Sequence, residues 1–276
     1  MLGQRIVTAV VLLALLVPAL LSSQPWPFPV LTLILLAAAG WEWGRLHGGR
    51  QAVCLALAGL LLAVCAALGP MALSRQVPRE VWWGLSLGWL FAGPWALRQG
   101  VEGWRRHHRF LTWTLGLLVL CGAWMALVSA WAQGVAFVLS ILSLVWVADI
   151  AAYFGGRAFG RRKLAPSISP GKSWEGVWSG VVAVLLLAWA WVNLSVPAGA
   201  PNVFSVLFDR FGWGWGSVML VLLSGMSVVG DLFESLVKRA AGAKDSSRLL
   251  PGHGGVLDRI DALLPVFPLA LALCAS

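Results

Sequence analysis

Nine long apolar stretches, separated by short polar segments, run through the whole sequence. A helix that spans a bilayer needs about 20 mostly apolar residues, and most of these stretches approach that length. Soluble domains have roughly 25% charged residues, whereas only 11% of these 276 residues are charged. The sequence therefore predicts an all-α, polytopic integral membrane protein with about nine transmembrane helices. The predicted spans cover residues 6–22, 29–46, 51–69, 81–97, 110–128, 134–154, 175–194, 214–233 and 260–275.

The positive charges predict which side of the membrane each loop faces. Lys and Arg accumulate in cytoplasmic loops, and 17 of the 20 lie at the N-terminus or in loops that follow even-numbered spans. The N-terminus and the two longest polar segments, about 155–175 and 234–259, are therefore predicted to be cytoplasmic. We expect a multi-pass protein of a bacterial-type cytoplasmic (inner) membrane. Anionic lipid headgroups beside these loops explain the net charge of +9, so we expect no nucleic-acid partner.

The chemically useful side chains are unevenly distributed along the chain. Residues 1–130 contain about five predicted spans and few charged groups within them, so we interpret this region as a lipid-facing scaffold. Residues 131–276 form the predicted catalytic region. Glu42 is the exception in the scaffold, and because it lies about one helical turn from Arg45, we expect a structural ion pair between them.

Five acids, five bases and a histidine lie between residues 231 and 261, in a chain that is otherwise nearly uncharged. Asp258 and Asp261 share one face at the start of the ninth span. Two helix ends that present carboxylates on the same side can hold Mg²⁺, which binds one or two carboxylates together with substrate phosphates and water. Helical spacing groups four more polar side chains on one face of the eighth helix as it reaches the cytoplasm: Asp231, Glu234, Ser235 and Lys238.

A glycine-rich turn links these two groups of acids. Its residues are Gly252, His253, Gly254 and Gly255. Such a turn is flexible enough for backbone amides to close on an anion, and it leads into a helix N-terminus, where free N–H groups favour phosphate. Nearby bases would neutralise further phosphate charge: Lys238, Arg239, Lys244 and Arg259.

The loop after the sixth span has a second set of polar residues. Asp149 and Tyr153 lie one turn apart near the end of that span. The tripeptide Gly171-Lys172-Ser173 resembles part of a phosphate-binding loop, but the earlier glycine is missing and no buried strand precedes it. A P-loop NTPase is therefore rejected. We interpret this segment as a turn in which Lys172 grips a nucleotide phosphate where the seventh span begins.

The segment from Ser235 to Asp261 resembles the signature of phosphatidate cytidylyltransferases, also called CDP-diacylglycerol synthases. The segments 149–153, 159–164 and 169–176 also resemble conserved blocks of that family, and the matched blocks cover about a quarter of the chain. The resemblance implies that CTP and phosphatidic acid react to give CDP-diacylglycerol and pyrophosphate, with Mg²⁺ and possible use of a second cation. It also implies an all-helical homodimer embedded in membrane lipid.

The same resemblance implies a role for each matching residue. Asp231 and Asp258 would bind the metal, with Asp261 close by. The other catalytic residues would be Lys172 and Arg259. Substrate would be bound by Asp149, Tyr153, Ser173, Lys238, Arg239, Lys244, His253, Gly254 and Gly255. Three positions depart from the usual family residues without loss of charge: Ile150, Ser173 and Ala262.

Other functions share part of this pattern. A CTP-dependent lipid kinase or another CDP-lipid synthase would also need basic loops and a metal, and only the match through Gly252–Asp261 argues against them. An ion-coupled transporter would place its acids near the bilayer midplane. The acids here lie instead near the predicted cytoplasmic helix ends, which favours an enzyme.

Overall fold

A computed structural model describes residues 2–194 and 200–274 of the chain. Within these ranges the chain forms ten helices and one short β-hairpin, which confirms the all-α class. Each of the nine predicted spans coincides with one helix, and the hairpin and α9 lie between spans. The elements in chain order are α1 (Leu2–Leu21), α2 (Pro27–Leu46), α3 (Gln51–Leu73), α4 (Arg79–Arg105), α5 (Arg109–Gln133), α6 (Val135–Phe159), β1 (Lys163–Ala165), β2 (Ser169–Ser173), α7 (Trp174–Leu194), α8 (Val203–Ala240), α9 (Leu257–Ile260) and α10 (Leu263–Cys274).

Seven of the described helices are long and apolar enough to cross a membrane, which supports a polytopic membrane protein. They are α1, α2, α3, α5, α6, α7 and α8. The other two predicted spans correspond to α4, which is less apolar and is interrupted at Gly100, and to α10, which has only 12 residues. The count of nine spans and the side of the N-terminus stay predictions. Residues 195–199, in a predicted loop, and residue 275, in the last predicted span, lie outside the described residues.

The core of the molecule is organised around α10. This helix is apolar on every side, and its residues 264–273 are buried. It packs against α4, α5, α6 and α8, so its whole surface is covered by other helices. By contrast, α1 lies at the edge, where it contacts mainly α2 and exposes large apolar side chains such as Val10 and Leu13. Exposed apolar surface of this kind is solvated by lipid in a membrane protein.

The eighth helix begins earlier than predicted, at Val203 and not near residue 214. The Asn202 side chain caps it by accepting a hydrogen bond from the Ser205 N–H group at 3.0 Å. The backbone then turns at Gly212, whose φ of 70° is not helical. The first segment buries Phe204 and Leu207 against the core, and the second carries the predicted polar face. The sequence-based boundary was wrong because it followed hydropathy alone.

The loop after α6 is an antiparallel hairpin formed by β1 and β2. The helices on either side are longer than expected, so that the loop predicted at 155–175 spans only residues 160–173. The second loop is also shorter, since α8 continues to Ala240. Ser173 ends the hairpin and its hydroxyl accepts a hydrogen bond from the Gly176 N–H group at 3.2 Å, which caps the start of α7.

Candidate active site

Lys238 lies between two acidic side chains near the end of α8. Its Nζ atom is 2.6 Å from Oδ1 of Asp258 and also contacts Oε2 of Glu234. Glu234 is one helical turn from Lys238, as the spacing predicts, whereas Asp258 belongs to α9. Lys238 is 12% exposed, and the side chains of Glu234 and Asp258 are 2% and 7% exposed. The buried Lys238–Asp258 ion pair therefore holds the end of α8 against α9.

Asp258 also accepts hydrogen bonds from the loop that precedes it. Its Oδ2 atom accepts from the N–H groups of Gly255 at 2.7 Å and Ser246 at 2.9 Å, and from the Ser246 hydroxyl at 2.9 Å. Burial by itself raises the pKa of this carboxyl, but Lys238 and the backbone N–H donors outweigh burial and lower the pKa of Asp258 to about 2. Asp258 is therefore an anion at neutral pH.

Asp231 is the centre of a second set of charges. Its Oδ2 atom lies 2.5 Å from Nζ of Lys172, which reaches it from β2. Asp149, on α6, and Asp261, which follows α9, both interact electrostatically with Asp231. The backbones also meet here, since a Cβ atom added to Gly230 would lie 2.5 Å from the carbonyl oxygen of Asp261. The structure thus brings together acids from α6, α8 and the segment after α9.

These acids fit a metal that completes its coordination with substrate and water. Among residues 2–194 and 200–274, no three Asp, Glu, His or Cys side chains form a ready-made metal site. Mg²⁺ needs only one or two carboxylates when phosphate oxygens and waters supply the rest. Asp231, with Asp149 and Asp261 beside it, offers such oxygen donors. Asp258 could bind the metal through its Oδ1 atom only after Lys238 no longer contacts that atom.

The glycine turn encloses protein carboxylates, where the sequence led us to expect a substrate phosphate. The Gly255 N–H group donates to Asp258, and the N–H groups of Val256 and Leu257 donate to Glu42 at 3.0 Å and 2.8 Å. Gly254 has a φ of 85°, and a Cβ atom there would lie 2.6 Å from Oδ2 of Asp258. The turn is therefore closed around the acids of the site.

The expected ion pair between Glu42 and Arg45 was wrong. Both side chains, on α2, bind the loop between α8 and α9. The Arg45 Nη2 atom donates to the carbonyl oxygen of Ser246 at 2.5 Å. Glu42 accepts hydrogen bonds from the hydroxyls of Ser246 and Ser247. The loop offers Glu42 a set of hydrogen-bond donors, which the local spacing on α2 does not reveal.

Two predicted phosphate-binding arginines hold loops in place. Arg239 donates from Nη1 to the carbonyl oxygen of Ala243 at 3.0 Å and from Nε to that of Ile168 at 3.4 Å. Arg259 donates from Nε to the carbonyl oxygen of His253 at 3.0 Å, which closes the glycine turn. These contacts correspond to an orienting role for the two arginines.

Four other residues in the predicted substrate-binding set differ in exposure. Lys244 is exposed on the loop after α8. His253 has a buried Nδ1 atom with no hydrogen-bond partner in the described part of the chain. Tyr153 is 61% exposed and lies edge-on to Phe154. The buried Ser173 hydroxyl caps α7, so its described contact is structural.

Sequence reasoning missed four polar residues of the site: Glu42, Glu175, Ser246 and Ser247. Glu175 accepts hydrogen bonds from the N–H groups of Arg161 at 3.1 Å and Arg162 at 3.2 Å, and so anchors the start of the hairpin. A lone carboxylate inside an apolar span was the available signal for Glu42. Ser246 and Ser247 lie within the segment that resembles the family signature, but no spacing rule gave either serine a role.

Comparison with known proteins identifies the family. Residues 3–276, nearly the whole chain, match the model of a family described as the cytidylyltransferase family. The chain belongs to the cytidylyltransferase family. It is therefore an enzyme that transfers a nucleotidyl group, which confirms the resemblance seen in the sequence.

Relatives in this family match along the whole chain or along about half of it. The chain is 39% identical to the phosphatidate cytidylyltransferase of Pseudomonas aeruginosa over 280 residues, which cover 99% of this chain and 97% of that protein. The corresponding protein of Haemophilus influenzae is 34% identical over 301 residues, with coverage of 97% and 96%. That of Brucella suis is 48% identical over 131 residues, which cover 48% of this chain and 44% of that protein.

Proposed function

We propose that this cytidylyltransferase uses CTP and phosphatidic acid to form CDP-diacylglycerol and pyrophosphate. The supporting observation is that two lysine–carboxylate pairs, Lys172–Asp231 and Lys238–Asp258, lie around Asp261, which interacts electrostatically with Asp231 and with both lysines. Sites of this kind suit phosphoryl chemistry, in which the protein mainly positions the reactants and neutralises charge. The full-length similarity to phosphatidate cytidylyltransferases supports this choice of substrates.

In the proposed reaction, a phosphate oxygen of phosphatidic acid attacks the α-phosphorus of CTP. The new P–O bond forms in line with the bond to the β-phosphate, which breaks, and pyrophosphate leaves. No protein nucleophile is needed. Lys172 and Lys238 each contact a carboxylate in the described structure, and CTP phosphates would offer the two ammonium groups alternative partners.

The arginines and the acids have separate tasks in this proposal. Arg239 and Arg259 orient the loops around the site through their bonds to backbone carbonyls. Lys244, which is exposed, is available to the triphosphate from solution. Asp231, Asp258 and Asp261 would hold Mg²⁺ and, where two metals bind, a second cation. The bound metal would neutralise phosphate charge as pyrophosphate leaves.

The site is proposed to face the cytoplasm, where CTP is dissolved. The excess of Lys and Arg in the loops after even-numbered spans supports this side. A site at the membrane boundary also allows a lipid headgroup to meet a water-soluble nucleotide. We further propose that the enzyme is a homodimer, as its family resemblance implies. We also propose that it binds no nucleic acid, because anionic lipid headgroups account for its positive charge.

The position of a label in CTP distinguishes this function from the alternatives. Purified protein would be incubated with phosphatidic acid, Mg²⁺ and CTP labelled at either the α- or the γ-phosphorus. Cytidylyl transfer puts the α-label in the lipid phase and the γ-label in pyrophosphate. In a parallel reaction with a lipid that has a free hydroxyl group, a CTP-dependent lipid kinase would instead put the γ-label in the lipid. Absence of a labelled, lipid-soluble cytidine product would overturn the proposal.

A further inference from the structure

Glu42 is a completely buried carboxylate in a helix far from the active-site residues in sequence. Its side chain is 0% exposed. Glu42 precedes Ser246, in the loop that it binds, by 204 residues in the sequence. A buried charge is costly unless it is hydrogen-bonded. The four donors that satisfy it come from the loop between α8 and α9 and from the first residue of α9: the hydroxyls of Ser246 and Ser247, and the N–H groups of Val256 and Leu257.

The residues that donate to Glu42 include or adjoin those that donate to Asp258. The Ser246 hydroxyl oxygen lies 3.2 Å from Oε2 of Glu42 and 2.9 Å from Oδ2 of Asp258, so its single proton is shared between the two carboxylates. The Ser246 N–H group also donates to Asp258. Leu257, which donates to Glu42 at 2.8 Å, directly precedes Asp258 in the chain. Glu42 therefore contacts both ends of the loop that encloses Asp258.

Glu42 has no direct route to a substrate. An ionised carboxylate has about four acceptor sites, and the four loop donors match that number. Arg45, one turn further along α2, donates to the carbonyl oxygen of Ser246 at 2.5 Å, so the same helix binds Ser246 through backbone and side chain. Any influence of Glu42 on the reaction must pass through this loop.

We propose that Glu42 is a positioning residue for cytidylyl transfer, which acts through Ser246 and Leu257 to fix the orientation of Asp258. The proposal rests on the proposed function of Asp258 in that reaction. It assigns part of the active-site geometry to α2, in the region that the sequence indicated was a scaffold. Partners that orient a metal-binding or reacting side chain commonly contribute about 10- to 100-fold in metal affinity or activity.

The test compares Glu42→Gln with Glu80→Gln, a change of the same type at an exposed carboxylate in the first turn of α4. A glutamine side chain keeps the size of Glu42 but presents an NH₂ donor to groups that are themselves donors. We expect Glu42→Gln to lower kcat about 10- to 100-fold and to raise the Mg²⁺ concentration needed for half-maximal activity. Glu80→Gln should match the wild type in both.

A double-mutant cycle separates positioning from a general effect on folding. Ser246→Ala removes the hydroxyl that links Glu42 with Asp258, so its effect on kcat should be non-additive with that of Glu42→Gln. Ser247→Ala removes a hydroxyl that contacts Glu42 but not Asp258, and should affect kcat less than Ser246→Ala. These serine variants also test the proposal if Glu42→Gln does not insert in the membrane. Equal effects of the two serine variants would overturn it.

A binding measurement keeps this proposal distinct from the proposed function. Mg²⁺-dependent thermal stabilisation of the purified protein would be compared between the wild type and Glu42→Gln, with no substrate present. If the wild type forms CDP-diacylglycerol but Glu42→Gln equals it in kcat and Mg²⁺ response, the positioning role is refuted. If the wild type forms no such product but Glu42→Gln weakens Mg²⁺ stabilisation, the proposed function fails, and only the orientation of Asp258 towards Mg²⁺ is supported.

Discussion

Asp258 is a buried anion that accepts hydrogen bonds from several donors. Lys238, Gly255 and Ser246 together satisfy both of its oxygen atoms. Hydrogen bonds to a charged group are roughly twice as strong as those between neutral groups, so Asp258 orders the loop that surrounds it. The same side chain thus has a structural effect as well as its proposed role towards substrate and metal.

Gly254→Ala tests how closely the turn is fitted to Asp258. We expect a lower thermal unfolding temperature in detergent and lower turnover. A residue with a side chain at a φ of 85° is strained by about 1–3 kcal/mol, and the added methyl group would lie 2.6 Å from Oδ2 of Asp258. Gly225→Ala is the control, because a Cβ atom there meets nothing within 4 Å. Wild-type values for Gly254→Ala would contradict this account of the turn.

The sequence identifies the charged residues of the site better than their partners. Acids and bases at the boundary of an apolar chain are conspicuous because each one is costly there. Glu42 and Ser246, however, are 204 residues apart, and no spacing rule relates them. Arg45 has the correct helical spacing to pair with Glu42, but the donors of the loop bind Glu42 instead. Only the folded structure reveals that competition.

At the level of secondary structure, the junction between the hairpin and α7 positions Lys172. The Ser173 hydroxyl caps α7, and the Glu175 carboxylate binds the N–H groups of Arg161 and Arg162 at the other end of the hairpin. Lys172 lies on β2 between these two anchors and reaches Asp231. Contacts with the start of α7 therefore fix the geometry of the hairpin.

Glu175→Ala should loosen this junction. We expect a several-fold lower turnover and a higher KM for CTP, because the hairpin that carries Lys172 would lose its contact with α7. Glu80→Ala is the matched control, since Glu80 is also an acid in the first turn of a helix and is exposed. Steady-state kinetics with CTP as the varied substrate measure both variants. Identical kinetics for Glu175→Ala and Glu80→Ala would show that the contact between Glu175 and the hairpin does not affect turnover or the KM for CTP.

Helices of this protein are more predictable than its short elements. The long apolar stretches are found from hydropathy because a membrane span must be apolar along about 20 residues. The segment 203–211 at the start of α8 was missed because it is short and separated from the apolar stretch by Gly212. The hairpin was also missed, since strands of three and five residues give no clear alternation of polar and apolar side chains.

Across the whole molecule, the two regions predicted from the sequence are in extensive contact. The helix α10 belongs to the predicted catalytic region, yet it packs against α4 and α5 of the predicted scaffold. Glu42 and Arg45, on α2, reach the loop between α8 and α9. Substitutions in the first 130 residues are therefore expected to affect the active site as well as stability.

The proposed sidedness is tested by labelling single cysteines from one side of the membrane. In a background without the four native cysteines, Arg248→Cys would report on the loop after α8, and Gln76→Cys on the loop after α3. Both positions are exposed. A membrane-impermeant maleimide should label position 76 in intact cells, and position 248 only in inverted vesicles. The reverse pattern would contradict a cytoplasmic active site.

The central claim is that acids from the C-terminal part of α8 and from α9 act together in cytidylyl transfer. The most direct measurement is the rate of CDP-diacylglycerol formation by Asp231→Asn and Asp258→Asn, compared with Asp209→Asn, an exposed position near the other end of α8. We predict that the first two variants insert normally in the membrane but lose turnover, while Asp209→Asn stays close to the wild type. Near wild-type product formation by either Asp231→Asn or Asp258→Asn would contradict the claim.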